Sequence, residues 1–352
     1  MPSKYAAEPA DVRRFVLRRV VQDGRNLASD IQNEFGVSRP TAHNYIRHLI
    51  GEGLIERRSP GRYDLGTASR AFEHVVKGLE EHEVWTNELQ PVLGDLPSNV
   101  REIWHYGCTE MINNVIDHSE SPTLSVAVER TALYTEIIIH DEGVGIFRKI
   151  ARALQLDDDR HAVLELSKGK VTTDPENHSG EGIFFSSRAF DHFRILSGDV
   201  YFEHKGDDDE DWILGQEIPT EAVNGTSVIM TLQNDSDRRI INVFDAHATD
   251  TEDYRFDRTV VPVKLLEYGD EQLVSRSQAK RLLTRFDRFR VVVLDFADVK
   301  SIGQAFADEL FRVFTRRHPE IELIPINSNE QVTRMISRAR SGDEPQRTLF
   351  GD

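Results

Sequence analysis

Glu110, Asn114 and His118 recur at intervals of four within Glu110-Met111-Ile112-Asn113-Asn114-Val115-Ile116-Asp117-His118. That spacing stacks a carboxylate, a carboxamide and an imidazole along one stripe of a helix, one turn apart. The flanking positions are apolar, so the three polar groups stand half-buried without an evident charge partner, which is costly unless something binds there. A solvated polar face is the alternative. Downstream, an apolar strand from Tyr134 to His140 runs into Asp141-Glu142-Gly143-Val144-Gly145-Ile146. Gly143 and Gly145 let backbone approach a ligand closely, and Asp141 offers an acceptor suited to an amino group such as that of adenine. Asn177-His178-Ser179-Gly180-Glu181-Gly182-Ile183 opens a further helical run, and a helix N-terminus behind such a turn can receive phosphates. In Asn224-Gly225-Thr226 a turn enters a strand, and the Thr226 hydroxyl can reach a base or a nearby Asp.

Each piece alone is weak, but the four in this order resemble the GHKL ATPase superfamily: an N box, two glycine boxes and a closing Gly-Thr over about residues 89–232. The placement of Glu110 and His118 around Asn114 is similar to the serine-kinase branch represented by anti-sigma-factor kinases. No phosphoacceptor helix of the histidine-kinase kind precedes it, although His74 and His82 lie nearby. The resemblance implies ATP and Mg²⁺ as cofactors. Asn114 would coordinate Mg²⁺ through its side-chain oxygen, and Glu110 would be the general base acting on a water or hydroxyl. Asp141 would read the adenine amino group, backed by Thr226, with Gly143 and Gly145 lining the base pocket. His118, Gly180, Glu181 and Gly182 complete the ATP site, the last three at its phosphate end. The insert from Phe147 to Ser179 would be a lid in which Lys168 and Lys170 either contact phosphate or belong to a solvated loop. The second glycine box holds fewer glycines than the histidine-kinase form. This bears on lid conformation and rate more than on binding, because phosphoryl transfer also depends on where the nucleophile sits.

Helical patterns over Asp11 to Gln22, Leu27 to Phe35 and Arg39 to Glu52 are followed by strand-like runs around Ser59-Pro60-Gly61. Gly36 is suited to end one helix, Ser38 to cap the next, and Pro40 to its first turn. The segment resembles a winged helix-turn-helix, which implies Arg39, Thr41, His43, Asn44 and Arg47 facing a DNA major groove. Arg57, Arg58 and Arg62 would sit on the wing near phosphate. A protein-interaction module is the competing reading of the same pattern.

Strands at Val260 to Leu266, Arg290 to Phe296 and Glu322 to Ile326 alternate with helices at Ser277 to Phe286, Gln304 to Arg317 and Glu330 to Ala339, predicting a mainly parallel sheet. Val291 to Val299 followed by Ser301 to Phe311 resembles an uncharacterised STAS-like family. Gln304 and Ala305 stand where anti-anti-sigma STAS domains carry a phosphorylatable Ser, and the nearby Ser301 reads as a turn or cap residue.

The fold class expected is therefore multidomain α+β: a winged helix, a GHKL α/β sandwich and a small STAS-like α/β domain. The divisions fall at 1–66, a helical connector 67–96, the ATP-binding domain 97–234, a linker 235–258, the STAS-like domain 259–342 and a tail 343–352. Residues 1–66 carry 11 Lys+Arg against 8 Asp+Glu, a balance of +3, which leaves −20 of the net −17 on residues 67–352. A basic head on an acidic body fits a DNA reader fused to something else. The lone Cys108 excludes an intrachain disulfide and cannot alone form a zinc site. With no long apolar run and no secretory signal, a cytoplasmic protein that does not enter a membrane is expected. Partners implied are ATP, DNA at the head and a protein at the STAS-like domain, with a homodimer left open. The function expected is a nucleotide-controlled regulator. A protein serine kinase and a nucleotide-bound scaffold without turnover are the rivals.

Overall fold

The computed structural model describes residues 8–172, 180–206, 223–248, 256–267 and 272–341. Asn177 to Ser179 of the second glycine turn, residues 249–255 of the expected linker and the 343–352 tail lie outside them. Among the described residues the architecture is mixed α/β with three separate sheets, compatible with a multidomain α+β fold. No helix among the described residues is long and apolar enough to cross a membrane.

The head begins with α1 (Pro9–Gln22), α2 (Leu27–Phe35) and α3 (Arg39–Gly51). Gly36 ends α2 at φ 65°, a left-handed conformation favourable to glycine. The Ser38 hydroxyl accepts from the Thr41 N–H at 3.3 Å and so caps α3. The antiparallel strands β1 (Ile55–Ser59) and β2 (Arg62–Leu65) follow. Val12, Val16, Leu27, Ile31, Ala42, Ile46, Leu49 and Ile55 form a core that is all but dry. Ala132 and Leu133, from the middle of the chain, pack against it.

A six-stranded antiparallel sheet runs in the order β3-β4-β5-β8-β6-β7. Its strands are β3 (Ala68–Val75), β4 (Thr123–Arg130), β5 (Tyr134–Asp141), β6 (His192–Gly198), β7 (Val200–Lys205) and β8 (Val223–Gln233). Side chains alternate between its faces, which buries Leu124, Val126, Ile137, Ile139, Phe193 and Ile195 on one side. Asp141 is in phase with Ile137 and Ile139, so the pleat carries its carboxylate to the buried side at the strand's end.

Helices cover that face: α4 (Glu81–Val84), α5 (Gln90–Leu93), α6 (Ser98–Asn114), α7 (Ile146–Leu154), α8 (His161–Lys168), α9 (Gly182–Ala189) and α10 (Ile240–His247). Two of the expected divisions are corrected. Residues 67–96 are not solely a helical connector, because Ala68–Val75 pairs along its whole length with β4 as the sheet's edge strand. Residues 235–258 contain α10, whose Phe244 packs its ring at 5.5 Å from Tyr106 and 4.7 Å from Phe185.

The C-terminal unit has three parallel strands in the order β11-β10-β9, namely β9 (Arg258–Pro262), β10 (Val291–Asp295) and β11 (Glu322–Ile326). The strand expected through Leu266 stops at Pro262 and continues as a 3₁₀ turn, Val263–Leu266. The remaining helices are α11 (Arg276–Leu283), α12 (Gln304–Asp308), α13 (Thr315–Arg317) and α14 (Glu330–Ser341), with a π-helical stretch at Glu309–Phe314 joining α12 to α13. Ser275 and Gln278 form a reciprocal capping box on α11. The apolar core of this unit is continuous with that beneath the six-stranded sheet.

Candidate functional site

A cavity of about 280 Å³ opens between the end of the six-stranded sheet and helices α6, α7 and α9. At its sheet end Asp141 is only 4% exposed and accepts the Gly143 N–H at 2.8 Å. Thr226 stands directly opposite Asp141 on β8. Its hydroxyl oxygen accepts from the Ile146 N–H at 3.1 Å, and the residue bonds to Asp141 as well. Burial raises the Asp141 carboxyl above its ordinary range, with the Gly143 N–H, His140 and Thr226 pulling the other way. The groups that hydrogen-bond this carboxylate are neutral donors, while His140 acts on it through charge.

The glycines around it are held by contact. A Cβ on Gly143 would lie 1.9 Å from the Ser119 carbonyl oxygen, and one on Gly225 would lie 2.0 Å from that of Asp141. Gly145 adopts φ 84° immediately before α7. A side chain at Gly143 or Gly225 would push two backbones apart beside Asp141.

At the opposite end α6 gives way after Asn114 to a π-helical turn, Val115–Ser119. Glu110, Asn114 and His118 all line the cavity, so the wider turn does not rotate His118 out of the stripe. The Asn114 amide nitrogen contacts the Met111 sulfur at 3.9 Å. A Cβ on Gly182 would lie 2.0 Å from a Glu110 carboxylate oxygen, which places that carboxylate against the N-terminus of α9. Gly180 and Glu181 line the same wall. Glu110 and Glu181 both act electrostatically on the Tyr106 phenol, whose pKa rises mainly through burial and then through these two charges.

Of the residues singled out in the sequence, Glu110, Asn114, His118, Asp141, Gly145, Gly180, Glu181, Gly182 and Thr226 line one cavity. Gly143 shapes the turn behind it. Lys168 and Lys170 do not line it, and the expectation that they contact a ligand there is corrected. Lys168 is completely buried, its Nζ bonded to Glu165 at 2.6 Å and to the Thr284 carbonyl at 3.0 Å. Lys170 donates to the Arg288 carbonyl at 3.0 Å and lies over the Phe256 and Phe289 rings. The C-terminal unit occupies both. Among the described residues the lysine on the cavity wall is Lys149, which none of the motifs includes. Its Nζ donates to the His118 carbonyl at 2.6 Å and to Glu120 at 3.1 Å. Its position one turn into α7, directly after the glycine turn, was the available signal.

On the head, Arg39, His43, Asn44, Arg47, Arg57, Arg58 and Arg62 are exposed. Two of the arginines already have partners: Arg47 donates to Asn44 at 3.0 Å and Arg58 to Asp64 at 3.1 Å. Thr41 is half-buried and tied to the Ser38 hydroxyl at 2.8 Å. Part of the surface expected to face DNA is thus self-paired.

In the C-terminal unit Gln304 starts α12 behind Gly303, so the first helical positions carry no hydroxyl. No curated protein matches the chain. A family model described as a STAS-like domain of unknown function (DUF4325) matches residues 278–333, and that part of the chain is STAS-like.

Proposed function

We propose that the middle of this chain is a GHKL-type MgATP-binding unit whose nucleotide state regulates the units on either side of it, the head acting as a DNA-binding winged helix. The observation that carries the reading is the polarity of one cavity. A buried carboxylate braced by neutral donors stands at one end, and a carboxylate, a carboxamide and an imidazole stand with a glycine turn and a helix N-terminus at the other. The first end suits the exocyclic amino group of adenine and the second a metal-bridged phosphate chain.

The donor set fits magnesium rather than a self-sufficient metal centre. Among the described residues no group of three His, Cys, Asp or Glu could hold an ion. A hard oxygen from Asn114 fits an ion that keeps several waters and shares its remaining sites with phosphate. Bound there, the metal would neutralise charge on the phosphates. Glu110 would take a proton from the attacking water or hydroxyl, and Lys149 would support the His118 end of the stripe.

Asp141→Asn exchanges the acceptor pair for an amide, and the resulting loss of ATP affinity measured by titration calorimetry is expected to be about tenfold or more. An unchanged affinity would contradict the reading. A protein serine kinase is the second reading, favoured by the Glu110 carboxylate at the wall of the cavity. ATP labelled at the γ-phosphate separates the cases: label on protein marks a kinase, free phosphate an ATPase, and neither a scaffold.

A further inference from the structure

The C-terminal end of α8 has its carbonyls satisfied by a different unit of the chain. The Lys168 carbonyl accepts from the Thr259 hydroxyl at 2.7 Å. Arg285 donates one guanidinium nitrogen to Glu165 at 3.0 Å and the other to the Gly169 carbonyl at 2.9 Å and to the Lys170 carbonyl. Arg288 donates to that same Lys170 carbonyl at 2.9 Å. Three successive carbonyls are thus captured by β9 and by the segment after α11. The next residues, Val171 and Thr172, line the cavity, and the Val171 N–H donates to the Gly180 carbonyl at 3.0 Å. A chain of direct bonds leads from Arg285 to the glycine turn that faces Glu110.

Several features bind Arg285 to this arrangement. It sits at φ 64°, sparsely populated for a residue other than glycine, and such a conformation persists where its surroundings over-determine it. Gly169, at φ 82°, leaves no room for a side chain, since a Cβ there would meet the Phe256 ring at 2.6 Å. Burial lowers the Arg285 pKa while Glu165 opposes it, which makes Glu165 the counter-charge that keeps a buried guanidinium tolerable.

We propose that Arg285, from the C-terminal unit, is a positioning residue for the cavity: by fixing the Gly169 and Lys170 carbonyls it holds the Val171–Thr172 wall in place, so that ligand affinity and the docking of the C-terminal unit are coupled. The regulatory half of this inference rests on the nucleotide reading. The coupling is reciprocal, so a ligand in the cavity must tighten the hold on the C-terminal unit by the factor that the hold tightens the ligand.

The test uses the full chain. Arg285→Lys keeps a cation for Glu165 and loses the planar fork that spans two carbonyls. MgATP affinity is expected to fall by about 5- to 150-fold, the range of ordinary coupling energies. In the unsubstituted chain, saturating MgATP is expected to slow amide exchange across residues 281–289, and this protection is expected to vanish in Arg285→Lys. A purely structural role would leave the protection in place. Arg334→Ala, which removes an exposed pair with Glu330 on α14, is the control and changes neither readout. Affinity within about twofold of the unsubstituted chain, affinity that rises, or ligand protection that survives in the variant overturns the proposal.

If the unsubstituted chain takes up no MgATP, the nucleotide reading falls instead. Exchange at residues 169–172 without ligand then decides the positioning claim, faster in Arg285→Lys if it holds and unchanged if it does not. Should that variant not fold, Thr259→Val removes only the donor to the Lys168 carbonyl. The same readouts then apply, with smaller shifts in the same direction expected, and unchanged values overturning the proposal.

Discussion

Two buried carboxylates, Asp141 at the cavity and Glu165 on α8, are 4% and 1% exposed and meet opposite fates. Glu165 is neutralised by two cations, Lys168 at 2.6 Å and Arg285 at 3.0 Å. Asp141 is hydrogen-bonded by N–H and hydroxyl donors, and burial lifts its pKa against them and the charge of His140. The first arrangement is complete, and a further partner would have to displace one already present. The second holds its acid in a dry place with no salt bridge among the described residues, a cost that persists in folds where such a group meets a ligand. Burial by itself therefore does not tell these two acids apart; the kind of partner does.

The largest effect expected from this contrast is on folding. Glu165→Ala leaves Lys168 and Arg285 buried together without an anion, and loss of one partner from such a cluster costs about 3–5 kcal/mol. Denaturant unfolding of the full chain measures it. Lys168→Met is expected to cost much less, because Arg285 still satisfies Glu165 and burial already pushes the Lys168 ammonium down to about 8. Equal costs for the two substitutions would break the contrast.

Next in size is a pH effect at Asp141. Its folded-state pKa lies above the ordinary 3.8, so the ionised group costs stability at all pH values above the folded pKa. That cost is relieved as pH falls through the folded value toward 3.8. Under the proposed reading ligand affinity moves the other way, since protonation turns one of the two acceptor oxygens offered to the adenine amino group into a donor. Titrations at descending pH should show affinity failing while the fold gains at Asp141, and Asp141→Asn should flatten the affinity profile.

The smallest effect concerns the head. Arg57→Ala together with Arg58→Ala should weaken DNA binding in a mobility-shift assay at low salt and reduce its salt dependence by about one to two phosphate contacts. Because Arg58 already pairs with Asp64, Arg57 is expected to carry more of the change. An unaltered shift would turn the head toward a protein partner.

Much of this was legible in the residues. The bounds of α2 and β11 followed from apolar periodicity, and the cap at Ser38 from turn chemistry. Nine site residues on four separated segments meet at one cavity, because local glycine turns and helical spacing are short-range signals. What failed depends on neighbours distant in sequence. Ala68–Val75 is exposed along most of its length, so no alternation marks it as a strand, and only pairing with β4 makes it one. The acid-rich segment around α10 gave no hint that Phe244 would reach Tyr106 and Phe185. Lys168 and Lys170 have the right charge and the right place in the chain for a phosphate. Their engagement by Thr284 and Arg288, more than a hundred positions away, could not be read locally.

Equilibrium binding of ATP to the full chain, with magnesium present and then removed by a chelator, tests the central claim most directly. The arrangement of Asp141 and the Glu110–Asn114–His118 stripe predicts saturable binding that weakens markedly without the metal and is restored by adding it back. Absence of binding, or binding indifferent to magnesium, would contradict it.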